Sequence, residues 1–484
     1  MHLQDLLVGL SEVIKIRGDN PDISGIETHS GRVKKGDVFV ALSGDVNFDD
    51  RHPFIPQAVA AGASVVVAEH DVDVGDVAFV QVKNTHRALA YIASCFYDTP
   101  TDPLKMVGVT GTNGKTSTVY LISAVLEAAG LAPGLIGTIE HHLGAKREVS
   151  NNSTPQAHDL HRMFRTMADA GCQSAVMEVT SHALAQNRVL GIDYEVAVFT
   201  NLTHDHLDYH KTPEAYLAAK ATLFDNLRSE AYAIINLDDS ASGAVTQKCS
   251  ANLMGFGRAD QAAVRILSGE TSWRGTSLLL QTPEGKLALE LALQGDFQLY
   301  NATAAVSVGL ALGIAPDVIA GAMRDVRVPG RFEGIDCGQD FGVFVDYAHA
   351  PDGLENVLKT ARAFTQGRLI CVFGCGGDRD RGKRPIMGQL SAQLADLSVV
   401  TSDNPRTEDP DEIIAGILPG VVDVQHIVEP DRRRAIERAI SQAEDGDLVL
   451  IAGKGHEDYQ EINGVKTHFD DREVAREILS ERAG

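Results

Sequence analysis

The chain has 484 residues, 44% hydrophobic and 23% charged. These are globular proportions that exclude a wholly disordered chain and, at ~150 residues per domain, suggest about three domains. The formal net charge of −23 repels phosphate backbones and anionic lipid, which argues against nucleic-acid and membrane partners.

One basic patch, Asp378-Arg-Asp-Arg-Gly-Lys-Arg384, has mixed signs that suit a small anion rather than a polymer. The six cysteines are scattered and form no CxxC pair, so neither a zinc site nor a disulfide framework is indicated. Met1–Asp5 lacks a signal-peptide pattern, and no run of ~18 apolar residues occurs. The expectation is a cytoplasmic protein with reduced thiols and no membrane insertion.

Residues 1 to 103 hold short apolar runs between turn residues. Val38–Leu42, Ser64–Ala68 and Val77–Val82 read as strands, with a helix over Pro56–Gly62. Asp98–Pro103 carries two prolines and reads as a linker. The next stretch opens with a strand, Lys105–Val109, then a glycine-rich turn and a helical pattern over Ser117–Ala129. Strands follow at Ser174–Met177, Val196–Thr200 and Ala231–Asn236, an alternation that predicts a parallel sheet with helices on both faces. Ser277–Gln281 and Leu287–Leu293, split by Pro283-Glu-Gly285, read as an inserted hairpin. Beyond the junction Val328–Arg331, strands at Phe341–Asp346, Arg368–Phe373, Leu397–Thr401 and Leu448–Ala452 alternate with helical patterns such as Arg432–Ala443. The fold class is therefore α/β in three domains, 1–103, 104–329 and 330–484. The central domain is a doubly wound parallel sheet of phosphate-loop type and the last is Rossmann-like.

The run Val107–Ser117 follows a predicted strand and opens a predicted helix, the setting a phosphate loop needs. Gly111 and Gly114 allow successive N–H groups to point inward, and the helix start adds its positive end. Lys115 would reach the β- and γ-phosphates and the Thr116 hydroxyl would bind Mg²⁺. The loop is a variant, because the strict pattern puts glycine where Val109 stands.

Glu178 ends an apolar strand, where α/β sheets bind ligands; it is either a ligand-site residue or a helix cap. Asn201–His210 holds three histidines and two aspartates in its last seven residues, but HxH spacing is weak for zinc and a phosphate site prefers Mg²⁺ with oxygen ligands. Lys220 lies in a helical stretch, Ala215–Phe224, and by composition alone reads as a solvated lysine.

In order along the chain stand Gly111-Thr-Asn-Gly-Lys-Thr116, Met177-Glu-Val-Thr-Ser-His182, Asn201–His210, Ala218-Ala-Lys220, Gly295–Asn301, Pro329–Glu333 and Val345–Pro351. Together they resemble the Mur ligases, which extend the peptide of the peptidoglycan precursor, and the resemblance covers essentially the whole chain. Gly374–Pro385, Asp403-Asn-Pro-Arg406 and Ala452–Glu457 narrow it to the members that use meso-2,6-diaminopimelate. Lysine users lack the arginine of the Asp-Asn-Pro-Arg run. A guanidinium suits the extra carboxylate of diaminopimelate, which it can hold bidentately.

The resemblance implies ATP and Mg²⁺ as cofactors, the UDP-N-acetylmuramoyl dipeptide and diaminopimelate as partners, and a monomer. It implies catalytic roles for Lys115, Lys220 and His206, with Lys220 carbamylated and binding metal beside Thr116 and Glu178. Gly111, Thr112, Asn113, Gly114, Lys115, Thr116, Ser117, Asn301, Arg331 and Asp346 would contact ATP. Asn152, Ser153, Thr154, Thr180, Gln186 and Arg188 would contact the UDP-sugar peptide, and Ser30 the uridine in the first domain. Arg379, Asp403, Asn404, Pro405, Arg406, Gly453 and Glu457 would contact diaminopimelate. His349 is either the base for the attacking amine or a hydrogen-bonded structural histidine. Where the family usually has Asp-Ser-Arg, this chain reads His29-Ser30-Gly31, and the loop after Gly44 is longer than the pattern. The rival readings are a lysine-adding homologue, a folylpolyglutamate-type ligase and a non-catalytic ATP-binding regulator.

Overall fold

Strand Lys105–Thr110 shows why the chain folds as it does. Met106, Val107 and Val109 are fully buried, because the strand pairs in parallel with Ser174–Glu178 on one side and Tyr194–Phe199 on the other. A parallel strand covered on both faces needs apolar residues throughout rather than in alternation. The computed structural model describes residues 1–45, 49–98, 103–203, 205–273, 275–422 and 424–483. Most of the expected linker Asp98–Pro103, residues 46–48 of the loop after Gly44, and His204 lie outside the described residues.

The chain divides into two compact units. The first comprises Met1–Arg265, Gln281–Gly285 and Tyr300–Ala322; the second comprises Ile266–Leu280, Lys286–Leu299 and Met323–Gly484. The expected hairpin is present as strands Gly275–Thr282 and Gly285–Leu291, and by contacts most of its residues group with the second unit.

The first unit holds two sheets. One runs in the order Val13–Arg17, Ala78–Val82, Val65–Ala68, Asp37–Val40, Gly25–Glu27, parallel except for the antiparallel edge Val13–Arg17. The part of the other sheet from Asn252–Gly257 onward runs Asn252–Gly257, Tyr232–Asn236, Tyr194–Phe199, Lys105–Thr110, Ser174–Glu178, Pro133–Ile136, all parallel, then antiparallel through Glu140–Leu143 and Lys146–Val149. The strand Glu140–Leu143 and its partner carry little periodic signal and escape the sequence reading. Thr212 starts the helix Pro213–Asp225 by accepting the Ala215 N–H at 3.2 Å, with proline in the first turn where its missing N–H costs nothing.

The second unit holds a sheet in the order Glu333–Gly334, Gly342–Asp346, Leu448–Ala452, Leu369–Phe373, Leu397–Val400, His426–Val428, antiparallel only at its first pair. A small hairpin, Tyr459–Ile462 with Val465–His468, follows. Asp431 caps the helix Arg432–Gln442 through the Arg434 N–H at 3.1 Å. Ala435, Ile436, Ala439 and Ile440 bury the face of that helix that covers the sheet.

Candidate active site

In the first unit the loop after strand Lys105–Thr110 is fastened by main-chain bonds to the end of its neighbour. Thr112 N–H donates to the Asn201 carbonyl at 2.9 Å and Asn113 N–H to Asn201 Oδ1 at 2.9 Å. Thr200 Oγ1 donates back to the Asn113 carbonyl at 2.7 Å. Gly111 at φ 152° and Gly114 at φ 84° have no room for a side chain: a Cβ would lie 1.8 Å from Thr200 Oγ1 or 2.4 Å from Asn301 Oδ1. Asn301 thus sits directly under the loop, and its Oδ1 accepts the Thr118 hydroxyl at 3.4 Å. The helix Lys115–Ala128 starts immediately after Gly114. The N–H groups of its first turn, Lys115 to Ser117, have no carbonyl four residues back within the helix, which makes the loop an anion cradle.

Lys115 Nζ folds over this loop, donating to the Gly111 and Thr112 carbonyls at 2.8 Å each. Lys220 Nζ donates to the same Gly111 carbonyl at 2.8 Å and lies 4.6 Å from the Tyr216 ring centre. Lys220 is 1% exposed, which overturns its reading as a solvated lysine. It sits on the inner face of its helix with Tyr216, Leu223 and Phe224. Burial first, and Lys115 second, hold its amine well below the ordinary lysine range.

Glu178 is buried at the end of its strand. Its Oε1 accepts the Thr116 hydroxyl at 3.1 Å and the Thr138 N–H at 2.8 Å, and its Oε2 accepts the Thr138 hydroxyl at 3.0 Å. The following helix, Ser181–Ala185, is capped by Thr180, so Glu178 is no helix cap. A buried carboxylate met by neutral donors and touching the Thr116 hydroxyl fits a hard divalent cation with oxygen ligands.

His206 stands at φ 53° in a cluster of rings, 4.8 Å from His182 and 6.0 Å from Tyr216. Burial lowers its pKa, Asp205 works against that, and Lys115 and Lys220 add to it. Tyr216 OH meets Thr112 Oγ1 at 3.0 Å and ties these rings to the loop. Among the described residues no three His, Cys, Asp or Glu gather as a metal-ligand set.

Thr154, Thr180, Gln186 and Arg188 converge. Arg188 Nη1 donates to the Thr154 carbonyl at 2.8 Å and Arg188 Nε to Gln186 Oε1 at 2.8 Å. Thr180 N–H donates to Thr154 Oγ1 at 3.1 Å, and Gln186 reaches Asp45. Ser153 Oγ lies 2.7 Å from Thr138 Oγ1, which links it to Glu178, whereas Asn152 is exposed. Ser30 donates its hydroxyl to Gln57 Oε1 at 2.9 Å.

In the second unit Arg331 packs 4.9 Å over the Tyr347 ring, and Asp346 accepts the N–H groups of Phe332 at 2.7 Å and Ala348 at 2.8 Å. His349 Nδ1 lies 2.8 Å from the Tyr347 carbonyl. A carbonyl only accepts, so Nδ1 carries the proton and Nε2 is the basic nitrogen. Asp403, Asn404 and Pro405 are buried after strand Leu397–Val400. Asn404 Nδ2 donates to Glu457 Oε2 at 2.8 Å, and Arg406 Nη1 donates to the Gly377 carbonyl at 2.7 Å. A Cβ on Gly376 would lie 2.9 Å from Arg406 Nη1 and 3.9 Å from Arg379 Cγ, so both arginines pack against this glycine. Burial raises the Glu457 carboxyl despite Lys454 beside it.

The Mur ligase middle domain matches residues 109–309, and the Mur ligase, glutamate ligase domain matches residues 330–455. A UDP-N-acetylmuramoyl-L-alanyl-D-glutamate–2,6-diaminopimelate ligase of Bacillus cereus is 44% identical over 489 residues, covering 100% of this chain and 99% of its own. This chain belongs to the Mur ligase family. A solved structure of a ligase of the same name is similar with a TM-score of 0.71 and 33% identity, covering 100% of this chain and 99% of that one. A Mycobacterium tuberculosis folylpolyglutamate synthase shares the fold at a TM-score of 0.61 and 22% identity, over 75% of this chain and 92% of its own.

The sequence reading assigned no role to Asn201, Thr138, Tyr216 or Lys454. Asn201 and Lys454 lie inside runs already quoted, but their neighbours carry the roles there. Thr138 and Tyr216 show their place only through the side chains they meet, and no spacing rule announces them.

Proposed function

We propose that this chain is an ATP-dependent ligase joining meso-2,6-diaminopimelate to the D-glutamyl γ-carboxylate of UDP-N-acetylmuramoyl-L-alanyl-D-glutamate, in peptidoglycan precursor synthesis. The observation that carries this reading is the Asp403–Arg406 run folded beside Glu457, in a chain that is 44% identical over its whole length to a diaminopimelate ligase. It works in the cytoplasm as a monomer. Among the described residues no helix is long and apolar enough to cross a membrane. The proposed domains are 1–103 for UDP, 104–329 for ATP and 330–484 for the amino acid.

In the first step a γ-carboxylate oxygen attacks the γ-phosphorus of ATP, the bond to the bridging oxygen breaks, and ADP leaves. Carboxylate and triphosphate repel, so positive charge must already be in place. Lys115 supplies it by exchanging the Gly111 and Thr112 carbonyls for phosphate oxygens, and the loop N–H groups supply the rest. Mg²⁺ at Thr116, Glu178 and a carbamylated Lys220 would neutralise further phosphate charge. Lys220 is suited to carbamylation because burial lowers its pKa and so favours the uncharged, nucleophilic amine. His206 lies beside this lysine pair. In the second step the diaminopimelate amine attacks the acyl carbon, the carbon–oxygen bond to phosphate breaks, and the amine proton passes to a base, for which His349 Nε2 is the candidate. Arg379 and Arg406 hold the distal carboxylate, while Asp403 and Glu457 face the ammonium.

Phosphate release from ATP tests the reading, with the UDP-dipeptide present and either meso-diaminopimelate or L-lysine added. Release with diaminopimelate alone is expected. Release with lysine alone would keep the family and remove the role of Arg406. ATP binding without release in either case would favour a non-catalytic nucleotide-binding protein.

A further inference from the structure

Asp403 is buried, and its two carboxylate oxygens are treated differently. Oδ1 accepts the Asn404 N–H at 2.6 Å. Oδ2 has no hydrogen-bond partner among the described residues. It lies against Gly453, which stands at φ 122°; a Cβ there would be 2.5 Å from Oδ2 and 3.8 Å from Arg432 Nη2. The glycine therefore lets this oxygen, the Gly453 backbone and the Arg432 guanidinium come together.

Arg432 is one of the largest fully buried side chains of the chain. Its Nε and Nη2 hold Asp471 bidentately at 2.8 and 2.7 Å. It also donates to two buried main-chain carbonyls: Nη1 to Ser402 at 3.1 Å and Nη2 to Ala452 at 3.1 Å. Ser402 and Ala452 immediately precede Asp403 and Gly453. One guanidinium thus fastens the roots of two loops that come from different strands. Burial pushes the Asp403 carboxyl up, yet Arg432 and then Lys454 bring it below the ordinary aspartate range.

We infer that Arg432, locked by Asp471, is a positioning residue that holds the Asp403 and Gly453 loops in register and so fixes the place of the Asp403 carboxylate in the corner that receives the incoming amino acid. The inference rests on the proposed ligase reading. A fork anchored on one side by a buried carboxylate has a fixed direction, so the two carbonyls it binds cannot drift apart. A lysine at this position would keep the charge but could not hold a bidentate partner and two carbonyls at once. Arg432 touches no reacting atom; it acts through Asp403.

The test uses the full chain with Arg432→Lys and Asp471→Asn, and with Arg433→Ala as the control. Arg433 is the exposed neighbour and pairs with Glu477 at 2.7 Å. Phosphate release is measured while the amino-acid substrate is titrated at saturating ATP and UDP-dipeptide, alongside melting curves. Both variants are expected to raise the KM for the amino acid ~10-fold or more while kcat stays within ~3-fold, as for lost ground-state positioning. The KM for ATP and the control variant should be unchanged. An unaltered amino-acid KM in either folded variant overturns the inference, whatever happens to the melting temperature. If Arg432→Lys does not fold, Asp471→Asn decides by the same criterion; failure of both to fold makes Arg432 merely structural and also overturns it. A wild-type chain silent with every amino acid would instead remove the ligase reading, and a wild type that prefers another amino acid is titrated with that one.

Discussion

The phosphate loop of the first unit and the Asp403–Glu457 corner of the second both lie at the carboxyl ends of parallel strands, but they are held by different means. Gly111–Thr116 is a contiguous stretch whose shape comes from glycine conformations and from bonds that its main chain makes with the Asn201 carbonyl, the Asn201 side-chain oxygen and the Thr200 hydroxyl. The second corner collects residues from loops far apart in the chain and is held from behind by buried side-chain charges, Arg432 with Asp471 and Lys454 with Asn404 and Glu457. A site shaped by its own main chain tolerates loss of a chemical side chain without losing form. A site shaped by buried ions depends on groups that never touch substrate.

The largest expected effect tests the first half of that contrast. Lys115→Met should lower kcat by ~100- to 1,000-fold, about 3–4 kcal/mol of barrier, as for removal of a preorganised electrostatic donor. The melting temperature should barely move, because Lys115 Nζ donates to the Gly111 and Thr112 carbonyls of a loop that Gly111, Gly114 and the bonds to Asn201 already shape. A large drop in melting temperature would show that the loop leans on the side chain after all.

A smaller effect is expected in the second unit. Arg406→Lys should raise the KM for diaminopimelate ~10- to 100-fold with little change in the KM for ATP, because an ammonium cannot match a bidentate guanidinium on a carboxylate. Equal losses for diaminopimelate and ATP would mean that Arg406 shapes the protein rather than reading the substrate. Its φ of 53° and its N–H bond to the Glu461 carbonyl at 3.0 Å are main-chain features that lysine keeps.

The smallest effect lies away from both corners and isolates the body of the first unit. His161 is fully buried, edge-on to Phe164 at 6.1 Å, and neither ring nitrogen has a hydrogen-bond partner among the described residues. Burial alone pushes its pKa from 6.5 down to about 4. Because the folded-state value is the lower one, the unfolded chain takes up the proton first as the pH falls. Stability is then lost from about pH 6.5 downward and stops changing below about pH 4, a loss of about 2 kcal/mol by about pH 5. His161→Leu should remove this loss, so melting curves of variant and wild type should separate at about pH 5 more than at about pH 7.5. Equal separation at both would show that the ring is not the acid-sensitive group.

The sequence is most legible where chemistry is local. The glycine pattern, Lys115 and Thr116 lie within one short run between a strand and a helix, so loop and role are read together. Glu178 is half legible: its place at a strand end is clear, but only the fold shows its oxygens on Thr116 and Thr138 while Thr180 does the capping. Lys220 is illegible from composition, since a lysine in a helix is ordinarily solvated and its burial depends on which face Tyr216, Leu223 and Phe224 turn inward. Residues 46–48 of the loop after Gly44, and His204, lie outside the described residues.

By itself the sequence determined the α/β class, most strands of the parallel sheets and the family to which the chain belongs. These follow from short-range periodicity and from motifs that carry their chemistry within a few positions. Only the tertiary structure decided that two lysines share the Gly111 carbonyl, that Lys220 is buried, and that Arg432 fastens the Ser402 and Ala452 carbonyls. Those facts depend on meetings between residues distant in sequence, where burial sets charge state and one guanidinium can fix two loops. Such effects have no local pattern to betray them.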